Sequence, residues 1–304
     1  MKSVKAVKSA SIQESKGDRI FNVLNYTVLI LFTLSVLYPL VYVLSASFSS
    51  SNAVISGRVW LWPVEFNLQG YEAVFKNKQV WVGFGNSIYY AVVGTFFNVM
   101  VTLMAAYPLS RKDFFIRNVI MAVFVFTMMF GGGLIPNYLL IKSLGLLDTR
   151  WALIVPGLMS VMSVIIARTY FQTTIPDEIL EAAHLDGCSD YKFLIKIVAP
   201  LSVPIIAVLS LFYAVGHWNT YFAALLYLKS PDLFPLQIIL RDVLVKNTFD
   251  EEIITDVVGA AQREGMRELL KYSLIVVSTI PVLVIYPFIQ RHFVKGMMIG
   301  SLKG

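Results

Sequence analysis

Of 304 residues, 57% are hydrophobic and only 14% are charged, whereas soluble domains average about 45–50% and about 25%. The 25 Lys and Arg and 19 Asp and Glu side chains, a formal net charge of +6, all lie outside six stretches: 20–57, 79–110, 118–141, 151–167, 197–228 and 272–290. A soluble helix needs a polar face along its length, so this distribution excludes a soluble globular enzyme, a nucleic-acid-binding domain and a disordered chain.

Crossing a hydrocarbon core about 30 Å thick takes roughly 17–25 helical residues. Each stretch is that long, and none alternates apolar with polar residues as barrel strands do. The sequence therefore predicts an all-α integral membrane protein with six transmembrane helices. In the first, the apolar core at 20–42 outlasts the roughly 7–15 residues of a signal peptide and reads as a retained anchor. The segment 50–78 holds Trp60, Trp62, Pro63 and Tyr71, with Trp81 close behind. These suit either a partner-facing aromatic surface or an aromatic belt at the lipid interface. The third stretch contains Gly131, Gly132, Gly133 and Pro136. Each glycine costs a helix about 1 kcal/mol relative to alanine and proline removes a hydrogen bond, so this helix should break near its outer end. Irregular backbone at membrane depth needs cover from protein or water, which predicts an interior-facing spot. The fourth stretch, 151–167, is the shortest, with Arg168 placed to snorkel.

Six spans put both termini on one side. Five Lys and Arg precede the first span, and three each fall in 110–117, 168–196 and after 290; the opposite side has five once the long 229–271 segment is set aside. The positive-inside rule then makes both termini cytoplasmic, with an N-terminal tail at 1–19, a six-span domain at 20–290 and a C-terminal tail at 291–304. Segment 229–271 carries eight acidic residues, among them Asp250, Glu251 and Glu252, and reads as a solvated outer loop.

The spans contain no Asp, Glu, Lys or Arg, the groups that ion-driven carriers usually keep inside the membrane. His217, followed by Trp218 and Asn219, suits a helix-packing hydrogen bond better than a proton relay. Cys188 is the single cysteine, which excludes an intramolecular disulfide and gives no metal cluster. No G-x-x-x-x-G-K-[ST], H-E-x-x-H or G-x-S-x-G motif occurs, so the chain is read as non-catalytic. If it moves a solute uphill, another subunit must supply the energy.

The cytoplasmic loop at 174–200 is the most informative segment. Pro176 suits the first turn of a helix, Asp177 and Glu178 complement its dipole, and Ile179, Leu180, Ala182, Ala183 and Leu185 give it an apolar face. Gly187 is a natural stop. Ser189 or Asp190 can cap a second helix carrying Tyr191, Phe193, Leu194 and Ile197, and Pro200 and Pro204 mark its exit into the fifth span. Helices this short are marginal alone and call for a partner surface, to which the two alanines beside Glu181 would permit close approach. An amphipathic helix lying on lipid is the other reading.

Glu181-Ala-Ala-His-Leu-Asp-Gly187, then Ile197 and Pro200, resembles the EAA loop of permease subunits of binding-protein-dependent ABC importers, with Ala199 where leucine is usual. Ala106-Tyr-Pro-Leu-Ser-Arg111, Gly132-Gly-Leu-Ile-Pro136, Gly216-His-Trp-Asn219 and Tyr286-Pro-Phe-Ile-Gln-Arg-His-Phe-Val-Lys-Gly296 extend the likeness across the chain, to carbohydrate permeases of the LplC/YtcP type, MalG-like. The resemblance implies the type I ABC importer permease fold, in a bacterial cytoplasmic membrane, forming half of a translocation pathway for oligosaccharides or related glycan fragments. It implies a second permease in a heterodimer, two ATPase subunits that bind the ATP and Mg, and an external solute-binding protein. It casts Glu181, Ala182, Ala183, Asp186, Gly187, Ile197 and Pro200 as the ATPase-coupling element of a helix-turn-helix loop, and the tail after Gln290 as a second ATPase contact. Asn137, Trp218, Asn219 and Tyr221 are of the side-chain types that hold sugars and are the substrate-pathway candidates. The segments 50–78 and 229–271 are candidates for docking the binding protein. A permease for a peptide- or lipid-type solute and an ion-coupled carrier are the competing readings.

Overall fold

A computed structural model describes residues 15–246 and 260–301. Among these residues three helices are by themselves long and apolar enough to cross a membrane: Lys16–Ser47, Lys78–Ser110 and Gly265–Ile285. Three more spans are bent pairs: Arg117–Met129 with Leu134–Ser143 at 113°, Arg150–Gly157 with Val161–Thr174 at 51°, and Asp190–Leu201 with Val203–Trp218 at 84°. With each pair counted once there are six, here called spans one to six in chain order, and they follow the six uncharged stretches.

Span one starts with a reciprocal cap. The Asp18 N–H donates to Ser15 Oγ at 3.1 Å and the Ser15 N–H to Asp18 Oδ2 at 3.2 Å, satisfying two of the donors a helix start leaves free. Its membrane-length window is wholly exposed on this chain. Only its far end packs, where Ala46 joins Val54, Val59 and Leu269 and Tyr42 meets Tyr272 edge-on at 5.8 Å.

Span three breaks where its glycines predict. Arg117–Met129 has 13 residues and rises about 20 Å, short of the hydrocarbon thickness; residues 131–133 are not helical and Gly133 stands at φ 84°. The expected cover is not found among the described residues: residues 130–137 are exposed.

The reading of 229–271 as a solvated loop is corrected for its described first part. The Asn86 amide donates to the carbonyls of Asp232 and Phe234 at 2.7 and 3.1 Å, Tyr90 Oη donates to the Leu233 carbonyl at 2.8 Å, and Ser87 Oγ accepts from the Leu236 N–H at 2.9 Å. Leu236, Ile238 and Val243 are buried against spans two and six. The cause is local composition: 233–240 holds no charge, so the acidic total of the long segment concealed an apolar turn that had to bury itself. Asp250, Glu251 and Glu252 lie outside the described residues.

The interior divides into cores at opposite ends. Val99, Tyr107, Val164, Phe171, Leu180, Phe193 and Leu209 pack at the end carrying the 174–200 loop. Tyr90, Leu153, Ile154 and Ile238, with Val80, Trp218, Leu236 and Leu274, pack at the far end.

Candidate functional site

The 174–200 loop folds as two helices meeting at Gly187. The first, Asp177–Leu185, has Pro176 as its N-cap residue. Leu180 and Ala183 point into the loop-end core with Phe193 and Val198 of the second helix, against Ala106, Leu109 and Phe171 of spans two and four. Adjacent residues on a helix differ by about 100° in direction. Glu181, Ala182, Leu185 and Asp186 therefore face outward, and Leu185 is 90% exposed. The two alanines thus serve different sides, since Ala182 is open to a partner while Ala183 lets the helix approach the protein's own spans.

The helix ends in a Schellman motif, with the Cys188 N–H donating to the Ala183 carbonyl at 2.9 Å and the Gly187 N–H to the His184 carbonyl at 3.0 Å, the pairing that closes a helix through a left-handed residue. Gly187 has φ 73°, and nothing lies within 4 Å of where a Cβ would be. Backbone angle alone, without crowding, demands glycine here. Ser189 is the N-cap of the second helix, and His184 Nε2 sits 3.1 Å from Asp190 Oδ1 across the turn. Ile197 is half-buried and Pro200 exposed; the 84° bend at Ser202 then turns the chain into Val203–Trp218, the longer half of span five.

Ion pairs fix this loop to the spans. Asp177 Oδ1 is 3.0 Å from the Arg111 guanidinium and Oδ2 is 2.9 Å from Lys112 Nζ. The Lys112 hydrogen bond, with both cations adding to it, holds the Asp177 carboxyl below the usual carboxylate range. Arg111 is buried at the end of span two, and Arg117 donates to its carbonyl at 2.5 Å. Arg168, expected to snorkel, instead donates from Nε to the Leu109 carbonyl at 2.8 Å. Its neighbourhood offered a carbonyl left free at a helix end, and a charged donor takes it. A polar cleft of about 340 Å³ lies between Arg111, Arg117, Gln172 and Glu178. The tether to Arg111 was not legible in the sequence, where the only signal is a cation ending an uncharged run.

The four pathway candidates separate. Trp218 is 5% exposed; its indole N–H donates to the Ser278 carbonyl at 3.0 Å and its ring meets Phe84 edge-on at 5.6 Å. That commits it to packing. Asn137, Asn219 and Tyr221 are exposed, and the Asn219 amide donates to the Val215 carbonyl of its own helix at 2.9 Å. Among the described residues no hydrogen bond or ring contact joins the four. Tyr138, beside Asn137, stacks with Tyr227 at 6.3 Å, bringing the second half of span three to the helix after span five. At this far end Arg150 is exposed, its guanidinium 4.5 Å above the Tyr89 ring and hydrogen-bonded to Asn86 Oδ1 at 3.3 Å. His217 makes the packing hydrogen bond expected of it, 2.7 Å from Nε2 to Asn98 Oδ1. Among the described residues no group of three or more His, Cys, Asp or Glu side chains could hold a metal ion.

A family model described as the binding-protein-dependent transport system inner membrane component matches residues 7–299. The chain belongs to that family. This permease is 40% identical over 287 residues to the polygalacturonan/rhamnogalacturonan transport system permease protein YtcP of Bacillus subtilis (strain 168), covering 94% of this chain and 99% of that protein. It is 38% identical over 296 residues to protein LplC of the same strain, covering 97% and 98%. A chain in the crystal structure of a bacterial ABC transporter involved in the import of the acidic polysaccharide alginate superposes with a TM-score of 0.86 at 34% identity, over 93% of this chain and 100% of that one. The protein is therefore an all-α, multi-pass membrane protein with the type I ABC importer permease fold, the non-catalytic membrane subunit of a carbohydrate ABC importer. Its relatives belong to multi-subunit systems, which supports partner permease and ATPase subunits. The peptide- or lipid-type and ion-coupled readings give way to this.

Proposed function

We propose that this permease forms half of the pathway for oligosaccharides bearing uronate groups, driven by ATP and Mg bound on separate ATPase subunits that dock on the 174–200 loop. The observation that supports it is the loop itself. Its inner face is locked to spans two and four, and its outer face presents Glu181, Ala182, Leu185 and Asp186 to solvent. An exposed leucine on a surface held this rigidly suits a partner's cleft. Glu181 anchors through charge-assisted hydrogen bonds, Ala182 permits close approach, and Gly187 sets the angle between the helices. Ile197 and Pro200 carry the second helix to span five.

In this reading both termini are cytoplasmic, the membrane is the bacterial cytoplasmic one, and the complex is a permease heterodimer with two ATPase subunits and an external solute-binding protein. Asn137, Asn219 and Tyr221 remain the pathway candidates. The substrate class draws on the printed subjects of the relatives, polygalacturonan and rhamnogalacturonan in one case and acidic alginate in the other. The six uncharged stretches hold no cation, and Arg150, held at the far end by Asn86 and the Tyr89 ring, is a positive charge for a carboxylated sugar to meet there. The test is reconstitution with the partner subunits and a loaded binding protein. Glu181→Lys should insert normally and abolish binding-protein-stimulated ATP hydrolysis, and stimulation equal to wild type would refute the docking surface.

A further inference from the structure

Three spans pass from one core to the other at the same level. Span two last meets the far-end core at Phe97 and joins the loop-end core at Val99, span four changes cores between Leu158 and Met159, and span five between Trp218 and Tyr213. The backbone is irregular along this seam: span two has a π-helical turn at Tyr90–Gly94, span four breaks between Gly157 and Val161, and the span-five helix ends at Trp218.

Two rungs of hydrogen bonds cross the seam. In one, the Asn98 amide nitrogen donates to the Gly157 carbonyl while Asn98 Oδ1 accepts from the His217 Nε2–H at 2.7 Å. In the other, Tyr213 Oη accepts from the Ser160 N–H at 3.2 Å and lies 2.7 Å from Thr102 Oγ1. Asn98 and Thr102 stand one turn apart on span two, and Tyr213 and His217 one turn apart on span five, so each pair stacks on a single helix face. Both rungs end on backbone groups that the break in span four leaves without helical partners. Asn98 and Thr102 are 0% exposed, and polar side chains at such positions are kept for what they bond to.

Below the seam, span four runs through Val161–Thr174 directly into the coupling helix at Asp177; above it, the same span begins at Arg150. A displacement of the loop therefore arrives at a 51° joint, which would absorb it by bending unless the joint were braced. We propose that the two rungs are that brace, making Asn98, Thr102, Tyr213 and His217 positioning residues through which movement of the loop reaches the far end of spans two, four and five. The idea rests on the coupling role of the loop, and the assay separates the two. Substrate imported and ATP hydrolysed are measured together in vesicles containing the reconstituted complex. Glu181→Lys reports on docking through the hydrolysis rate alone. The brace is read from substrate moved per ATP. Tyr213→Phe removes both hydrogen bonds of its rung and should lower that ratio at least about fivefold, the worth of one net hydrogen bond, with hydrolysis retained. Adding Thr102→Val to it should lower the ratio no further, since both act on the same rung. His217→Gln, which keeps an N–H for Asn98, should preserve the ratio, and His217→Leu should not. An unchanged ratio in Tyr213→Phe and His217→Leu would overturn the proposal. So would a parallel fall in both activities that tracks the amount of assembled complex.

Discussion

Replacing Gly94 with alanine would place a methyl group where the His217 ring already sits. A Cβ there would lie 2.6 and 2.7 Å from His217 Cε1 and Cδ2, and nearer still to Nε2, against about 3.5–4.0 Å for relaxed carbon contacts. The ring must retreat by about 1 Å, yet it is buried and tied to Asn98 at 2.7 Å. Overpacking of this kind costs about 1–3 kcal/mol and loss of the hydrogen bond adds about 1 kcal/mol. Alanine returns about 1 kcal/mol of helix propensity, because Gly94 has ordinary helical angles. The net expectation is about 1–3 kcal/mol of destabilisation. It would be measured as a lower denaturant midpoint of the purified protein in detergent, in a double-mutant cycle with His217→Ala. With the ring gone, the new methyl enters vacated space and the penalty should vanish. Gly94→Ala as stable as the parent, or an equal penalty in both backgrounds, would refute the packing argument.

Gly187→Ala should introduce about 1–2 kcal/mol of left-handed strain without a clash, lowering stimulated ATP hydrolysis while membrane insertion is unchanged; Gly187→Asn should be milder, and equal effects would count against it. Asp177→Asn removes the nearer of the two carboxylates beside Arg111, leaving Asp113 at 3.9 Å, and should cost about 1 kcal/mol by thermal melting of the complex. Because the folded pKa of Asp177 is depressed, its contribution is complete above the ordinary carboxylate value near 4 and is lost only as pH falls through the lower folded one. The gap between wild type and Asp177→Asn should therefore stay constant over about pH 6–8, and a gap that changes there contradicts the tether. Arg150→Gln should weaken import of uronate oligosaccharides and spare neutral ones; equal losses for both would remove Arg150 from substrate recognition.

The spans were legible because excluding charge from lipid is written directly into composition, and the glycines of span three marked its break for the same local reason. The helix–glycine–helix loop was legible because caps and stops act over a few residues. What could not be read were distant pairings: Arg111 with Asp177, Asn98 with both Gly157 and His217, and Trp218 with Ser278. For Trp218 the sequence offered a side-chain type that suits a sugar, and no signal that its indole is bonded inside the core. The apolar turn at 233–240 was missed because it was averaged with its acidic surroundings. The inward orientation of Ala183 could not be read either, because helix periodicity gives which residues share a face without saying which way that face points.

The exposed, non-helical backbone at Gly131 and Gly132 also bears on how the subunit lives in the cell. Amide groups left unpaired in hydrocarbon cost several kcal/mol each, so cover for Gly131 and Gly132 by another subunit should make the assembled chain more stable than the isolated one. An isolated copy opens more readily at that point and is the one a membrane protease would reach first. The expected outcome is a shorter lifetime for the chain expressed without partner subunits than with them, measured by pulse-chase.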